Sequence, residues 1–198
     1  MRKWIGAICV FLGVACLLSA VGFVAYNRRE DENAEEIAQD LLENVQSVIE
    51  EKQPEQLPGD VEKIPTEMPT VKVDGYDCIG ILSVPVLDLE LPVLTEWSYA
   101  KLKKAPCHYY GTYYEKDFVI AAHNYKSHFG RLSELQAGDI VIFTDVNGAD
   151  HCYEVVLLET LPKEATQEMI ASGFALSLYT CTPGGASRVT VRCDAAGQ

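Results

Sequence analysis

Apolar and polar positions fall into distinct regimes along the chain. From Trp4 to Tyr26, "WIGAICVFLGVACLLSAVGFVAY", no residue is charged over 23 positions. At a rise of about 1.5 Å per residue, a helix of that length spans a bilayer core. Trp4 and Tyr26 sit where interfacial rings belong. In "EDENAEEIAQDLLENVQSVIEEK" the apolar residues Ile37, Leu41, Leu42, Val45, Val48 and Ile49 recur near a helical period. This predicts one amphipathic helix, with no obvious partner. "QPEQLPGDVEKIPTEMPT" follows, and its four prolines forbid a continuous helix and favour extended segments.

Beyond position 74 the pattern shortens. "CIGILSV", "LELPVL", "FVIAAH", "DIVIFTD", "HCYEVVLLET", "ALSLYTC" and "SRVTVRC" read as strands separated by turn residues, and "DVNG" reads as a hairpin turn. Helical signals are confined to "EWSYAKLKKA", "ATQEMIASG" and a short turn in "SHFGRLSEL". The expected fold is all-β: a closed or nearly closed barrel of seven or eight strands with a few short helices, preceded by a transmembrane helix. The expected organisation is an anchor at 1–27, an acidic helix and Pro-rich spacer at 28–73, and a barrel at 74–198. No internal repeat is visible.

Charge narrows the partners. The 198 residues carry a formal net charge of −13. Residues 27–73 hold 5 bases against 13 acids, and residues 74–198 hold 9 against 16. Nucleic-acid binding needs clustered Lys and Arg to displace counterions, so that class is excluded. The apolar N-terminus has a rival reading as a cleaved signal peptide, with "LLSA" as the small-residue site. Signal cores usually run to about 7–15 residues, which favours an uncleaved anchor. Arg2 and Lys3 on one side balance Arg28 and Arg29 on the other. The expectation is a single-pass cell-membrane protein with its N-terminus inside and the barrel outside.

The candidate chemistry centres on three residues. A nucleophilic cysteine needs a base or cation nearby, and acyl transfer needs a donor for the oxyanion. Cys181 follows the strand "ALSLYT", His123 ends the strand "FVIAA", and Arg188 opens the strand "RVTVRC". Strand ends can present side chains to one groove. Arg192 competes with Arg188, because four residues along a strand both point to the same face. His108, His128 and His151 read as hydrogen-bonded or solvated side chains. Cys9 and Cys16 fall in the anchor. Among Cys78, Cys107, Cys152 and Cys193 no zinc spacing occurs, Cys152 and Cys193 read as core residues, and a disulfide stays open.

"SLYTC" followed by "RVTVR", with "VIAAHN" upstream and "IGILSVPVLDLELPV" at the domain start, resembles the sortase family of cell-surface cysteine transpeptidases. The resemblance covers about residues 75–194. It departs at Ser177, where the family's cysteine motif begins with Thr, and at Ala122, where Gly usually precedes the histidine. The resemblance implies that Cys181 attacks the carbonyl after the threonine of a Leu-Pro-X-Thr-Gly-like signal, forming a thioacyl enzyme. His123 would then act as acid and base, Arg188 would steady the oxyanion, and Thr180 would help shape the substrate site. The partners implied are surface proteins bearing the signal and a cell-wall amine. No cofactor is implied, though some sortases hold Ca²⁺; no ligands are evident here. The chain shows no second apolar span near its C-terminus and a short interval from His123 to Cys181. These features favour class D over the pilin-polymerising class, with class A and a divergent class B behind. Two other readings remain: an inactive anchored barrel that binds peptides, and a thiol endopeptidase in which water replaces the amine.

Overall fold

The computed structural model describes residues 2–52 and 67–197, so positions 53–66 of the Pro-rich stretch lie outside the described residues. The chain divides into two compact units, Met1–Asn33 and Ala34–Gln198. Helix α1 (Arg2–Lys52) contributes residues to both. In the first unit its large apolar side chains face outward, including Phe11 and Leu17. The apolar window has a mean hydropathy of 2.0 and none of it is buried, so this helix is long and apolar enough to cross a membrane.

In the second unit nine strands form one sheet. They are β1 (Val71–Val73), β2 (Tyr76–Val84), β3 (Leu89–Leu94), β4 (Cys107–Tyr110), β5 (Phe118–Ala121), β6 (Ile140–Asp145), β7 (Asp150–Pro162), β8 (Leu176–Cys181) and β9 (Ser187–Ala195). The order β2-β3-β4-β5-β8-β9-β7-β6 closes on itself because β2 also pairs with β6, giving an eight-stranded barrel; β1 extends β2 beyond the closure. Gly80 makes the closure possible. A bulge in β2 between Cys78 and Gly80 shifts the register there, and a Cβ on Gly80 would collide with the Thr144 carbonyl on β6. Asp145 to Gly148 form the expected turn between β6 and β7. The Asp145 carboxylate accepts from the N–H groups of Asn147 at 2.9 Å and Ala149 at 3.1 Å.

Alternate residues fill the barrel. Leu82, Phe118, Ile120, Phe143, Val155, Leu178 and Val191 are all inaccessible to solvent, as strand periodicity dictates. Outside, a second apolar cluster joins Cys78, Ile81, Leu94, Leu102 and Cys107 to Leu41, Val45 and Ile49 of α1. The amphipathic helix therefore has a partner: its buried stripe is Ala34, Ala38, Leu41, Val45 and Ile49, spaced by three and four residues along one face. Leaving one such aliphatic side chain in water would cost about 1.5–3 kcal/mol. Asn44 and Gln46 border the stripe and donate to Asp74 and Glu90 at 2.8 and 3.1 Å.

The remaining helices are short. α2 (Tyr99–Leu102) is capped by the Ser98 hydroxyl, which accepts from Lys101 N–H at 3.1 Å. It covers less of "EWSYAKLKKA" than the sequence predicts, since Pro106 and β4 follow at once. α3 (Thr166–Ile170) lies between β7 and β8. Leu132–Glu134 form a 3-10 turn.

Candidate active site

Cys181, the last residue of β8, stands directly opposite Arg188 on β9. Directly opposed residues of antiparallel strands have Cβ atoms about 4.5–5.5 Å apart, so the two side chains leave the sheet from neighbouring positions. The "TPGG" loop between them holds the two strand ends together. Thr182 N–H donates to Ser187 O at 3.0 Å, and Gly185 N–H to Thr182 O at 2.7 Å. Gly184 and Gly185 have φ of 83° and 74°, in the left-handed region that favours glycine. A side chain at either position would strain the loop.

On the other flank β8 runs parallel to β5, with Ala121 beside Tyr179. Ala122 N–H continues this pairing to Tyr179 O at 3.2 Å. Thr180 is 3 % exposed, and its hydroxyl donates to Ala122 O at 2.9 Å. The residue before the cysteine is thus tied to the residue before the histidine. His123 leaves β5 just past this strap, with its ring 4.9 Å from that of Tyr125.

His123, Cys181 and Arg188 line one groove of about 160 Å³ on the outer face of β4, β5, β8 and β9. Its walls are Trp97, Tyr99 and Leu102 on the α2 side and Ala165, Thr166 and Met169 on the α3 side. Tyr109 and Tyr179 meet edge to face on its floor, with ring centroids 5.4 Å apart. Burial pushes the Tyr179 phenol well above its ordinary range. Arg188 is half-buried, and its Nη1 donates to Ser187 O at 3.0 Å and Gly185 O at 3.2 Å. Cys181 also borders a second hollow of about 190 Å³, together with Asn124, Ser133, Thr180 and Pro183. Cys181 therefore borders two openings.

Arg192 takes a different place. It is 1 % exposed, does not line the groove, and binds Glu159 at 2.8 Å. The other histidines lie apart from the groove: His108 bridges Thr95 O and Gly111 O, His128 is fully buried, and His151 faces the Asp145 carboxylate at 3.4 Å. Burial pushes the Cys78 thiol up to about 11 and those of Cys107 and Cys193 up to about 12. All three are free thiols, as is Cys152. Cys152 is exposed rather than a core residue, because it shares a strand face with Glu154 while His151 and Tyr153 point inward. Among the described residues no group of three acidic, histidine or cysteine side chains is placed to hold a metal ion.

A closed barrel presenting a thiol, an imidazole and a guanidinium in one groove has the architecture of a cysteine transpeptidase. The model of the sortase domain matches residues 82–196, more than half of the chain, and the chain belongs to the sortase family. Three solved structures illustrate the shared fold. Sortase C1 from Streptococcus agalactiae superposes with a TM-score of 0.56 at 22 % identity, over 64 % of this chain and 72 % of that one. A Clostridium perfringens sortase D5 transpeptidase gives 0.61 at 19 % identity, over 82 % of this chain and 99 % of that one. Sortase A from Listeria monocytogenes gives 0.56 at 18 % identity, over 60 % of this chain and 86 % of that one. No curated protein matches the chain.

Proposed function

We propose that this chain is a membrane-anchored, class D-like sortase that cleaves a Leu-Pro-X-Thr-Gly-like signal and transfers the threonine carbonyl to a cell-wall amine. The observation that carries the reading is the presence of Cys181, His123 and Arg188 in one groove. In the first half-reaction the Cys181 thiolate adds to the carbonyl carbon after the threonine. Arg188, opposite Cys181 in register, stabilises the oxyanion, an effect that strengthens as the peptide excludes water. The C–N bond then breaks as the His123 imidazolium protonates the departing amine, leaving a thioester on Cys181. In the second, an incoming amine adds to the thioester, His123 takes its proton, and the C–S bond breaks to restore the thiolate. Thr180 acts as the strap that holds the histidine segment level with the sulfur. The aromatic and aliphatic walls suit an apolar Leu-Pro segment, and two openings bordered by Cys181 suit a reaction with two substrates. In this reading α1 anchors the enzyme, with its catalytic unit outside the cell.

The test is to incubate the full chain with a quenched peptide carrying the signal, with and without triglycine or a diaminopimelate-like amine. Amine-dependent product that disappears in Cys181→Ala supports the transpeptidase. Cleavage indifferent to every amine makes the chain a thiol endopeptidase, and binding without cleavage makes it a peptide-binding barrel.

A further inference from the structure

Arg192 is the largest fully buried side chain among the described residues. A guanidinium withdrawn from water is tolerated only when its donors are matched, and here acceptors come from three elements. Its Nε donates to Glu159 Oε1 on β7 at 2.8 Å, and its Nη1 to Ser177 Oγ on β8 at 2.8 Å. Nη2 donates to Glu168 O at 2.7 Å, and Nη1 also reaches Met169 O at 3.4 Å. Its guanidinium carbon lies 5.8 Å from the Phe174 ring centroid, in the segment joining α3 to β8.

The two carbonyls are the informative partners. α3 is five residues long and has no side-chain N-cap, too short to be stable alone. Glu168 O and Met169 O are among the carbonyls that a helix leaves unsatisfied at its C-terminal end. A cation there both supplies hydrogen bonds and opposes the helix dipole. Ser177 stands opposite Arg192 in register on β8, so one guanidinium fastens α3 to the strand that ends in Cys181. Thr166 and Met169 of the same helix form a wall of the groove.

We infer that Arg192 is a positioning residue that sets the height of the α3 wall over β8 and thereby determines how tightly the acyl-donor peptide is held. This rests on reading the groove as the peptide site. Arg192 touches no reacting atom, so its loss raises KM and leaves the sulfur's own reactivity intact.

The test uses the full chain in detergent, with Arg192→Lys and Glu159→Gln. A lysine can keep the Glu159 ion pair but cannot reach Ser177 and both carbonyls together. Three readouts are taken on each variant: amide exchange over residues 166–175 and over β8, KM and kcat on a signal peptide, and the rate of Cys181 alkylation by iodoacetamide. In Arg192→Lys, exchange over 166–175 should rise about tenfold while β8 is unchanged, and KM should rise about tenfold with kcat within about threefold. Alkylation should stay within about twofold of wild type. Glu159→Gln should show the same pattern more weakly. Unchanged exchange over 166–175 overturns the inference. So does an unchanged KM beside faster exchange, or loss of protection in β8 together with α3 in both variants, which would make Arg192 a core residue only. If the wild type turns over no signal peptide, the peptide reading fails, and the exchange arm alone decides whether Arg192 fastens the wall.

Discussion

Removing one buried side chain from α1 separates a helix that merely spaces the barrel from one that belongs to it. Leu41 is 2 % exposed and packs in the cluster that contains Leu102, Val73 and Leu94. Truncating a buried leucine to alanine removes its transfer free energy and leaves a cavity, together costing about 2–5 kcal/mol. For a unit of this size each kcal/mol lowers Tm by about 2–4 °C, so Leu41→Ala should melt about 4–20 °C below wild type. Circular dichroism on the full chain in detergent reads this directly, with Glu43→Ala on the exposed face as control, expected within about 0.5 kcal/mol of wild type. The same cluster underlies the groove, because Leu102 touches both, so Leu41→Ala should also raise KM for peptide at temperatures where the protein is folded. Equal melting of Leu41→Ala and Glu43→Ala would refute the packing argument.

Further outcomes are specific to single groups. Iodoacetamide at about pH 8 should modify Cys181 and Cys152 and spare Cys78, Cys107 and Cys193, whose burial keeps them as thiols; mass mapping that finds Cys193 labelled in folded protein contradicts this. Arg188→Ala should lower kcat by about 10²–10³ with little change in Tm, and a larger Tm loss than kcat loss would reassign it. Burial raises the Asp145 pKa, but hydrogen bonds from His151 and from the N–H groups of Ala149 and Asn147 outweigh it and hold the carboxyl below its ordinary value of 3.8. A carboxyl more acidic in the folded than in the unfolded chain stabilises the fold above the unfolded pKa, and loses that contribution as pH falls through the folded pKa. The Tm gap between wild type and Asp145→Asn should therefore be full at about pH 6 and narrow progressively as the pH falls below 3.8; a gap that widens in acid refutes it.

Much of the fold was legible because strands with one buried face announce it. "LELPVL" coincides with β3, and "DVNG" forms the turn between β6 and β7. β1 and β4 were not read: "VKV" is three residues long, and "CHYY" is four residues, half of them tyrosine. α1's partner was missed for a physical reason that the sequence did carry. Cys78 and Ile81 point out of the barrel and are apolar, and strands apolar on both faces need a cover. Leu41, Val45 and Ile49 supply it, and Ala34 and Ala38, too small to register in the apolar count, extend the same buried face of the helix. At the site, the strand ends located Cys181, His123 and Arg188. Period-two alternation correctly put Arg188 and Arg192 on one face, yet it could not show that α3 covers one and leaves the other in the groove. Cys152 was readable: its strand neighbour two positions on is Glu154, a sign of the outer face.

The central claim is that an acyl group passes through the sulfur of Cys181. Intact-mass measurement of the full chain, quenched in acid seconds after mixing with a signal peptide, tests it most directly. The account predicts an added mass equal to the peptide fragment ending at threonine, mapped to Cys181, released by hydroxylamine and missing in Cys181→Ala. A signal peptide cleaved at the same rate by Cys181→Ala, or an adduct on another residue, would contradict it.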